Sequence, residues 1–216
     1  MAVKIIGTSH IAKESEQQIS DYIALEKPDI VAVELDASRA VAIFQPQRKL
    51  KITDIPRIGL MGWLFAAIGS WAQKKLGEGV NMVPGADMRA AMIAARKIKA
   101  RIALIDRPIQ ITLKRLSSEM SFFQKLKFFG YLFFGEFFKS EKVEFNLEKV
   151  PGSELVEVLT KKLRQMFPAL YKVLVSERDE FIANQIKLLK RENPKSNILV
   201  VVGAGHLRGV KALLKR

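Results

Sequence analysis

Two segments at opposite ends of the chain repeat one pattern: Val3-Lys-Ile-Ile-Gly-Thr-Ser-His10 and Ile198-Leu-Val-Val-Val-Gly-Ala-Gly-His206. In each, an apolar, β-branched run of strand length breaks at a glycine, and a histidine follows three residues later. The chain has 2 histidines, and both occupy this position. With 13 glycines in 216 residues, a glycine stands three places before any given residue with a chance of roughly 6%, so the pair is read as the seed of a site. A fold that uses both must bring its two ends back together.

Between these ends the pattern alternates. Ser15 and Gln18 have capping-box spacing, and Ile19 with Ile23 give the following helix an apolar edge, which Lys27-Pro28-Asp29 ends. Asp29-Ile-Val-Ala-Val-Glu-Leu-Asp36 reads as a second buried strand, making the opening a βαβ unit of a parallel sheet. Val83-Pro-Gly-Ala-Asp87 is a turn, Met88 to Lys99 a basic helix, and Ile102-Ala-Leu-Ile-Asp-Arg107 a third short strand. A long helix is expected from about Ser153 to Arg191, broken near Pro168. In it, Glu177 lies between Val173 and Phe181, and Arg178 between Leu174 and Ile182, which places opposite charges on or beside an apolar stripe. Each should reach a partner, as a structural ion pair or as support for a site, because buried unpaired charge is costly. The fold class is therefore α/β, a central, largely parallel sheet flanked by helices. One domain spans residues 1–216, with helical insertions at roughly 40–80 and 113–150.

Two stretches are unusually apolar. Ile58 to Ala72 is too short to span a bilayer without strong deformation and reads as a buried or interface helix. Phe122 to Phe138 reads as a helix pair packed on the core or on another subunit, which would make a homodimer, or else as a membrane-surface helix. The formal charge of +14 favours a polyanionic neighbour, either nucleic acid or an acidic membrane. With 0 cysteines the chain forms no disulfide or thiolate metal site. Met1 to Gly7 run straight into a strand pattern, without the form of a signal peptide.

A parallel sheet gathers the C-terminal ends of its strands along one edge, so His10, Glu34, Asp106, Arg107 and His206 can converge. Two imidazoles and a carboxylate make a three-ligand divalent metal site with positions left for water and substrate. In that scheme His10, His206 and Glu34 are ligands, Glu34 serving alternatively as general base, while Arg107 and Arg39 orient substrate and stabilise developing charge. Gly7, Gly203 and Gly205 would let the backbone turn or approach a ligand, and Asp106, Glu177, Arg178 and Asp179 would support the site. Gly203-Ala-Gly205 is no dinucleotide fingerprint, since Arg208 stands where the third glycine belongs.

Gly7-Thr-Ser-His10, Val33-Glu-Leu-Asp-Ala-Ser-Arg39, Pro84-Gly-Ala-Asp-Met88, Ile105-Asp-Arg-Pro-Ile-Gln-Ile-Thr112, Ser176-Glu-Arg-Asp179 and Gly203-Ala-Gly-His206 stand in the order seen in the TraB family. The chain resembles that family, which groups the TraB and PrgY pheromone-shutdown proteins with the Tiki proteases, along nearly its whole length. The resemblance implies an α/β fold related to erythromycin esterase and the ChaN type of haem-binding proteins. From the Tiki members it implies a metal-dependent protease whose metal-site or catalytic residues correspond to His10, His206 and Glu34. The family's Pro-Gly-x-Glu-Met is here Pro84-Gly-Ala-Asp87-Met88, with the charge kept and its reach shortened. Long members continue into hydrophobic membrane segments, so this chain is expected to be the soluble domain of a membrane protein, on the cytoplasmic side where positive charge concentrates.

The expected function is a metal-dependent hydrolase that acts on peptides at a membrane surface, with manganese, cobalt or zinc as the metal. A non-enzymatic module that sequesters a peptide or small ligand is the alternative. Nucleic-acid binding ranks last, supported by charge alone.

Overall fold

The computed structural model describes residues 3–8, 13–45, 51, 53, 56, 85–134 and 152–216. The apolar run Ile58–Ala72, residues 135–138 of the phenylalanine-rich segment, and His10 lie outside the described residues.

Four strands form one sheet: β1 (Val3–Thr8), β2 (Ile30–Val33), β3 (Arg101–Leu104) and β4 (Ile198–Gly203). Their spatial order is β1-β4-β2-β3, and every pairing is parallel. The fold is therefore α/β with a central parallel sheet. The strands leading into the two histidines are neighbours, with Gly7 opposite Val202 and Thr8 opposite Gly203.

Strand alternation divides the core into two layers. Val31 and Val33 of β2 and Leu199 and Val201 of β4 face α1 (Lys13–Glu26) through Ile19 and Ile23. They also face α3 (Ala86–Lys97) through Met88, Ala91, Met92 and Ala95. Ile30, Ala32, Ile198, Val200 and Val202 face the opposite layer, made by Ile182, Ala183 and Ile186 of α8 (Glu177–Glu192) and Val210 of α9 (Ala204–Leu214). A period of two in the side chains makes both faces of these central strands apolar, which is why they read as continuous hydrophobic runs.

The steps β1 to β2 and β2 to β3 both move outward with helices α1 and α3 on one face, and the return to β4 brings α8 to the other. A single crossover hand requires this reversal. The helices that follow β1 and β4, α1 and α9, therefore lie on opposite faces of adjacent strands. Such a switch point opens a crevice at the C-terminal edge, where ligands of parallel sheets bind.

The remaining helices are α2 (Ala37–Ala42), α4 (Ile109–Glu119), α5 (Phe122–Phe134), α6 (Gly152–Met166) and α7 (Pro168–Tyr171). A π-turn, Lys172–Ser176, runs from α7 into α8. The break expected near Pro168 is present, with this proline opening α7. Leu116, Met120, Phe167, Leu170 and Val173 form a third apolar cluster. Phe128 of α5 joins it, its ring edge-on to Phe167 at 5.3 Å between centroids. Phe122 and Phe123 of the same helix are exposed.

Two local expectations are corrected. The helix α1 begins at Lys13, so Ser15 lies within its first turn rather than capping it. The glycines before the histidines do not make left-handed turns: among the described residues only Gly85 has positive φ for a glycine, at 81°. Gly203 has φ −62° and ψ 147°, ordinary extended values. At Gly7 the close neighbour is α9, because a Cβ there would stand 2.5 Å from Cδ2 of Leu207. Its lack of a side chain lets the helix after β4 settle against β1. Among the described residues no helix is long and apolar enough to cross a membrane.

Candidate functional site

Where β2 ends, Glu34 remains tied to β4 through its backbone N–H, which donates to Val201 O at 3.1 Å. Its carboxylate turns back over the sheet edge. Oε2 accepts from the Gly203 N–H at 2.7 Å, and Oε1 accepts from Nη2 of Arg178 at 2.6 Å. The side chain is largely buried, so these donors replace water.

Two residues on, Asp36 caps α2 by accepting from the N–H groups of Ser38 at 2.9 Å and Arg39 at 3.1 Å. Its second oxygen holds Nε of Arg39 at 2.6 Å, which aims that guanidinium at Asp106. Asp106 follows β3 and its side chain is wholly buried. Arg39 and Arg178 both donate to it, and the Arg107 backbone N–H donates to its Oδ1 at 2.8 Å. Burial alone would raise the Asp106 pKa, but the Arg178 and Arg39 guanidiniums outweigh it and hold the carboxyl below its ordinary value.

The sequence at the head of α8 sends three consecutive side chains in three directions. Glu177 accepts from Nη1 of Arg107 at 2.8 Å and from Nη2 of Arg115 at 2.7 Å. The Arg115 and Arg107 hydrogen bonds hold its carboxyl down at about 2, although burial opposes them. Arg178 spans Glu34 and Asp106; burial disfavours its charge, and those two carboxylates reverse the effect and raise its pKa. Asp179 meets His206, with Oδ1 2.6 Å from Nδ1. Burial pushes the Asp179 carboxyl up even against this neighbour. Thus Glu177 and Arg178 both find partners, as their places beside the apolar stripe require, but not each other.

His206 lies in the first turn of α9 and is buried. Its Nε2 faces Oε1 of Glu34 at 3.4 Å. When Nδ1 carries the proton and donates to Asp179, Nε2 presents a lone pair to a carboxylate oxygen. Arg178 already supplies positive charge to this oxygen, and a proton or a cation between the ring and the carboxylate would add to it. The distance is long for a hydrogen bond. It matches the roughly 3.4 Å between two donors that each lie about 2.1 Å from one tetrahedrally coordinated ion. The Nδ1 contact is also the usual outer partner of a metal-ligating imidazole. Moreover, Glu34, Asp36, Asp106, Glu177 and Asp179 face the guanidiniums of Arg39, Arg107, Arg115 and Arg178, an excess of one carboxylate that a cation would offset. His206 and Glu34 therefore offer two donors for such an ion, one of them an oxygen that also accepts from Arg178. Among the described residues no three His, Asp or Glu side chains gather as a complete ligand set. The third expected ligand, His10, begins two residues beyond the end of β1 and lies outside the described residues.

The other expected residues are placed as follows. Arg39 has a side chain 32% exposed and joins the network from its outer side. Arg107 is buried and commits its nitrogens inward, Nε to Thr112 at 3.0 Å, Nη1 to Glu177, and Nη2 to the Val173 carbonyl at 2.6 Å. Gly205 lies in the first turn of α9. Sequence reasoning overlooked Asp36, Arg115 and Gly209 as parts of the network. A Cβ on Gly209 would fall on the Asp179 carboxylate, with Cγ only 2.7 Å away. The signal was a glycine inside a helix, where it costs about 1 kcal/mol relative to alanine and so implies a packing reason. The Thr8 hydroxyl donates to Asp87, the buried acid of the Pro84-Gly-Ala-Asp87 motif, linking the end of β1 to the start of α3.

The chain is 33% identical to a Methanocaldococcus jannaschii protein described as uncharacterized, over 99% of this chain and 53% of that protein. It is 28% identical to a mouse TraB domain-containing protein and 26% identical to a human one, each over 97% of this chain and 61% of the relative. The chain thus spans a little over half the length of these relatives. The TraB/PrgY/gumN family pattern matches residues 2–216, which include both strand-Gly-x-x-His units and the acidic and basic residues gathered between them. This chain belongs to the TraB/PrgY/gumN family.

Proposed function

We propose that this TraB-family domain is a divalent-metal-dependent hydrolase acting on peptides. The observation that carries the reading is the placement of His206 between two carboxylates, with Asp179 on Nδ1 and Glu34 3.4 Å from Nε2. His206 and Glu34 would hold the metal, and His10 is the further ligand implied by the family resemblance. A cation held there would polarise a carbonyl and bring a bound water toward ionisation near neutral pH.

The chain's own residues do the rest. Asp179 fixes the imidazole so that Nε2 carries the free lone pair. Arg178 and the Gly203 N–H pin the two oxygens of Glu34, which limits its rotation. Arg39, more exposed than Arg178 or Arg107, would meet a substrate carboxylate or developing oxyanion. Arg107 acts from within, through the head of α8.

A second reading has one observation in its favour. Arg178 already neutralises the oxygen of Glu34 that faces His206, which suits a site that captures a peptide or small ligand without hydrolysing it. Calorimetry with manganese, cobalt and zinc, followed by incubation with a peptide mixture, separates the two. Metal binding that disappears in His206→Ala, with chelator-sensitive cleavage, supports hydrolysis. Peptide capture without cleavage, unchanged by chelator, supports sequestration. The formal charge of +14 supports a setting beside an anionic membrane, which salt-dependent binding to anionic vesicles would test.

A further inference from the structure

We infer that the π-turn Lys172–Ser176, clamped by the buried Arg107, is a positioning device that aims Arg178 and Asp179 at Glu34 and His206. Val173 and Ile182 are both completely buried, but in different clusters: Val173 packs with α4 and Leu170, and Ile182 packs against the sheet. In an uninterrupted α-helix, nine residues make about two and a half turns, so these side chains would point to opposite sides. A π-turn absorbs roughly one extra residue, which rotates everything after it by about 100° relative to what precedes it. The turn thereby leaves Val173 and Ile182 about 80° apart instead of about 180°, so that α7 and α8 turn these side chains toward one broad side of the helix while packing them in two clusters. It also sets the phase of the three residues that follow.

That phase matters because the three are consecutive and none is interchangeable. Glu177 points to α4, Arg178 to the ends of β2 and β3, and Asp179 to α9. A slip of one position would offer His206 a guanidinium in place of a carboxylate. Wide turns bind their carbonyls less tightly, and here guanidiniums occupy two of them. Arg107 Nη2 donates to Val173 O at 2.6 Å, and Arg178 Nη1 donates to Leu174 O at 3.4 Å. Arg107 simultaneously grips Glu177, the first residue after the turn, and Thr112 on α4. One side chain thus holds the turn, the helix that follows it, and a neighbouring helix in fixed register.

The orientation of His206 does not depend on whether metal binds, so it can be read in the metal-free full chain. Its consequence for metal affinity rests on the proposed hydrolase reading. Nitrogen-15 NMR of the imidazole should show the Nδ1–H tautomer in wild type. Arg107→Lys keeps the charge but loses the planar fork, and Glu177→Gln keeps the shape but weakens the grip. Both should shift at least half of His206 to the Nε2–H form while far-UV dichroism stays native. Removal of Val175, which would turn the π-turn into an α-turn, should do so completely if the chain still folds; if it does not, the two substitutions decide. A His206 tautomer unchanged in both substituted proteins, whatever their melting temperatures, would overturn the inference. If wild type binds manganese, both substitutions should weaken binding by about tenfold. A tautomer shift in a protein that binds no metal would uphold the positioning role and reject the hydrolase reading.

Discussion

Oδ1 of Asp179 stands 2.6 Å from Nδ1 of His206, and the backbone of Gly209 passes so close behind that carboxylate that no side chain fits there. The acid is held between an imidazole and a helix. Burial raises its pKa, so its ionised form is maintained at a cost to folding. Such a group is retained for what it does to its neighbour.

Asp179→Asn should therefore separate stability from function. Because the folded pKa of the acid is raised, ionisation disfavours folding at neutral pH, and the amide should leave the melting temperature unchanged or higher. The amide also lets His206 take the other tautomer, which should weaken metal binding by about 10- to 100-fold. Thermal melts and calorimetry on the same preparation check both. A fall in stability at pH 7 with metal affinity intact would contradict the argument.

Gly209→Ala should act on the same contact from the other side. The added methyl would displace the Asp179 carboxylate or push α9 away from α8, and overpacking of this kind costs about 1–3 kcal/mol. An ordinary exposed helical Gly→Ala change would instead be stabilising. Urea unfolding gives the sign directly.

The ion network around Asp106 should be the most sensitive part of the fold. Arg178→Ala leaves buried Glu34 with the Gly203 N–H alone and buried Asp106 with Arg39 and the Arg107 N–H, and should destabilise by about 3–5 kcal/mol. Replacing both ends, Arg178→Met with Asp106→Leu, removes both charges of that pair and should cost less than the two single changes together. A double-mutant cycle by chemical denaturation measures that coupling.

Much of this was legible beforehand because strands announce themselves locally. Val31 to Val33 and Ile198 to Val202 are β-branched runs stopped by an acid or a glycine, and they became the two central strands. The half-buried setting of Glu177 and Arg178 was legible from their spacing on or beside an apolar stripe. Their partners were not, since adjacent helical residues diverge by about 100° and the groups they meet come from α4, β2 and β3. The π-turn was equally hidden, because one extra residue in one turn barely disturbs a helical period. The glycines were recognised as points of close approach, but only the packing of Leu207 on Gly7 shows that the approaching object is a helix of the same chain.

Acid titration should expose the grip on Glu177. Its carboxyl is held at about 2 in the folded protein against an ordinary value of 4.5, with Arg115 and then Arg107 as the lowering partners. A depressed carboxyl stabilises fully above its unfolded pKa, and that contribution is lost as pH falls through the window from about 4.5 to about 2. Glu177→Gln should then lower stability at neutral pH while flattening the pH dependence within this window. Asp106, also depressed, will keep a residual slope there in both proteins. Parallel slopes for wild type and Glu177→Gln from pH 5 to pH 2, measured by urea midpoints, would mean that the arginines hold Glu177 no more tightly in the folded chain than in the unfolded one.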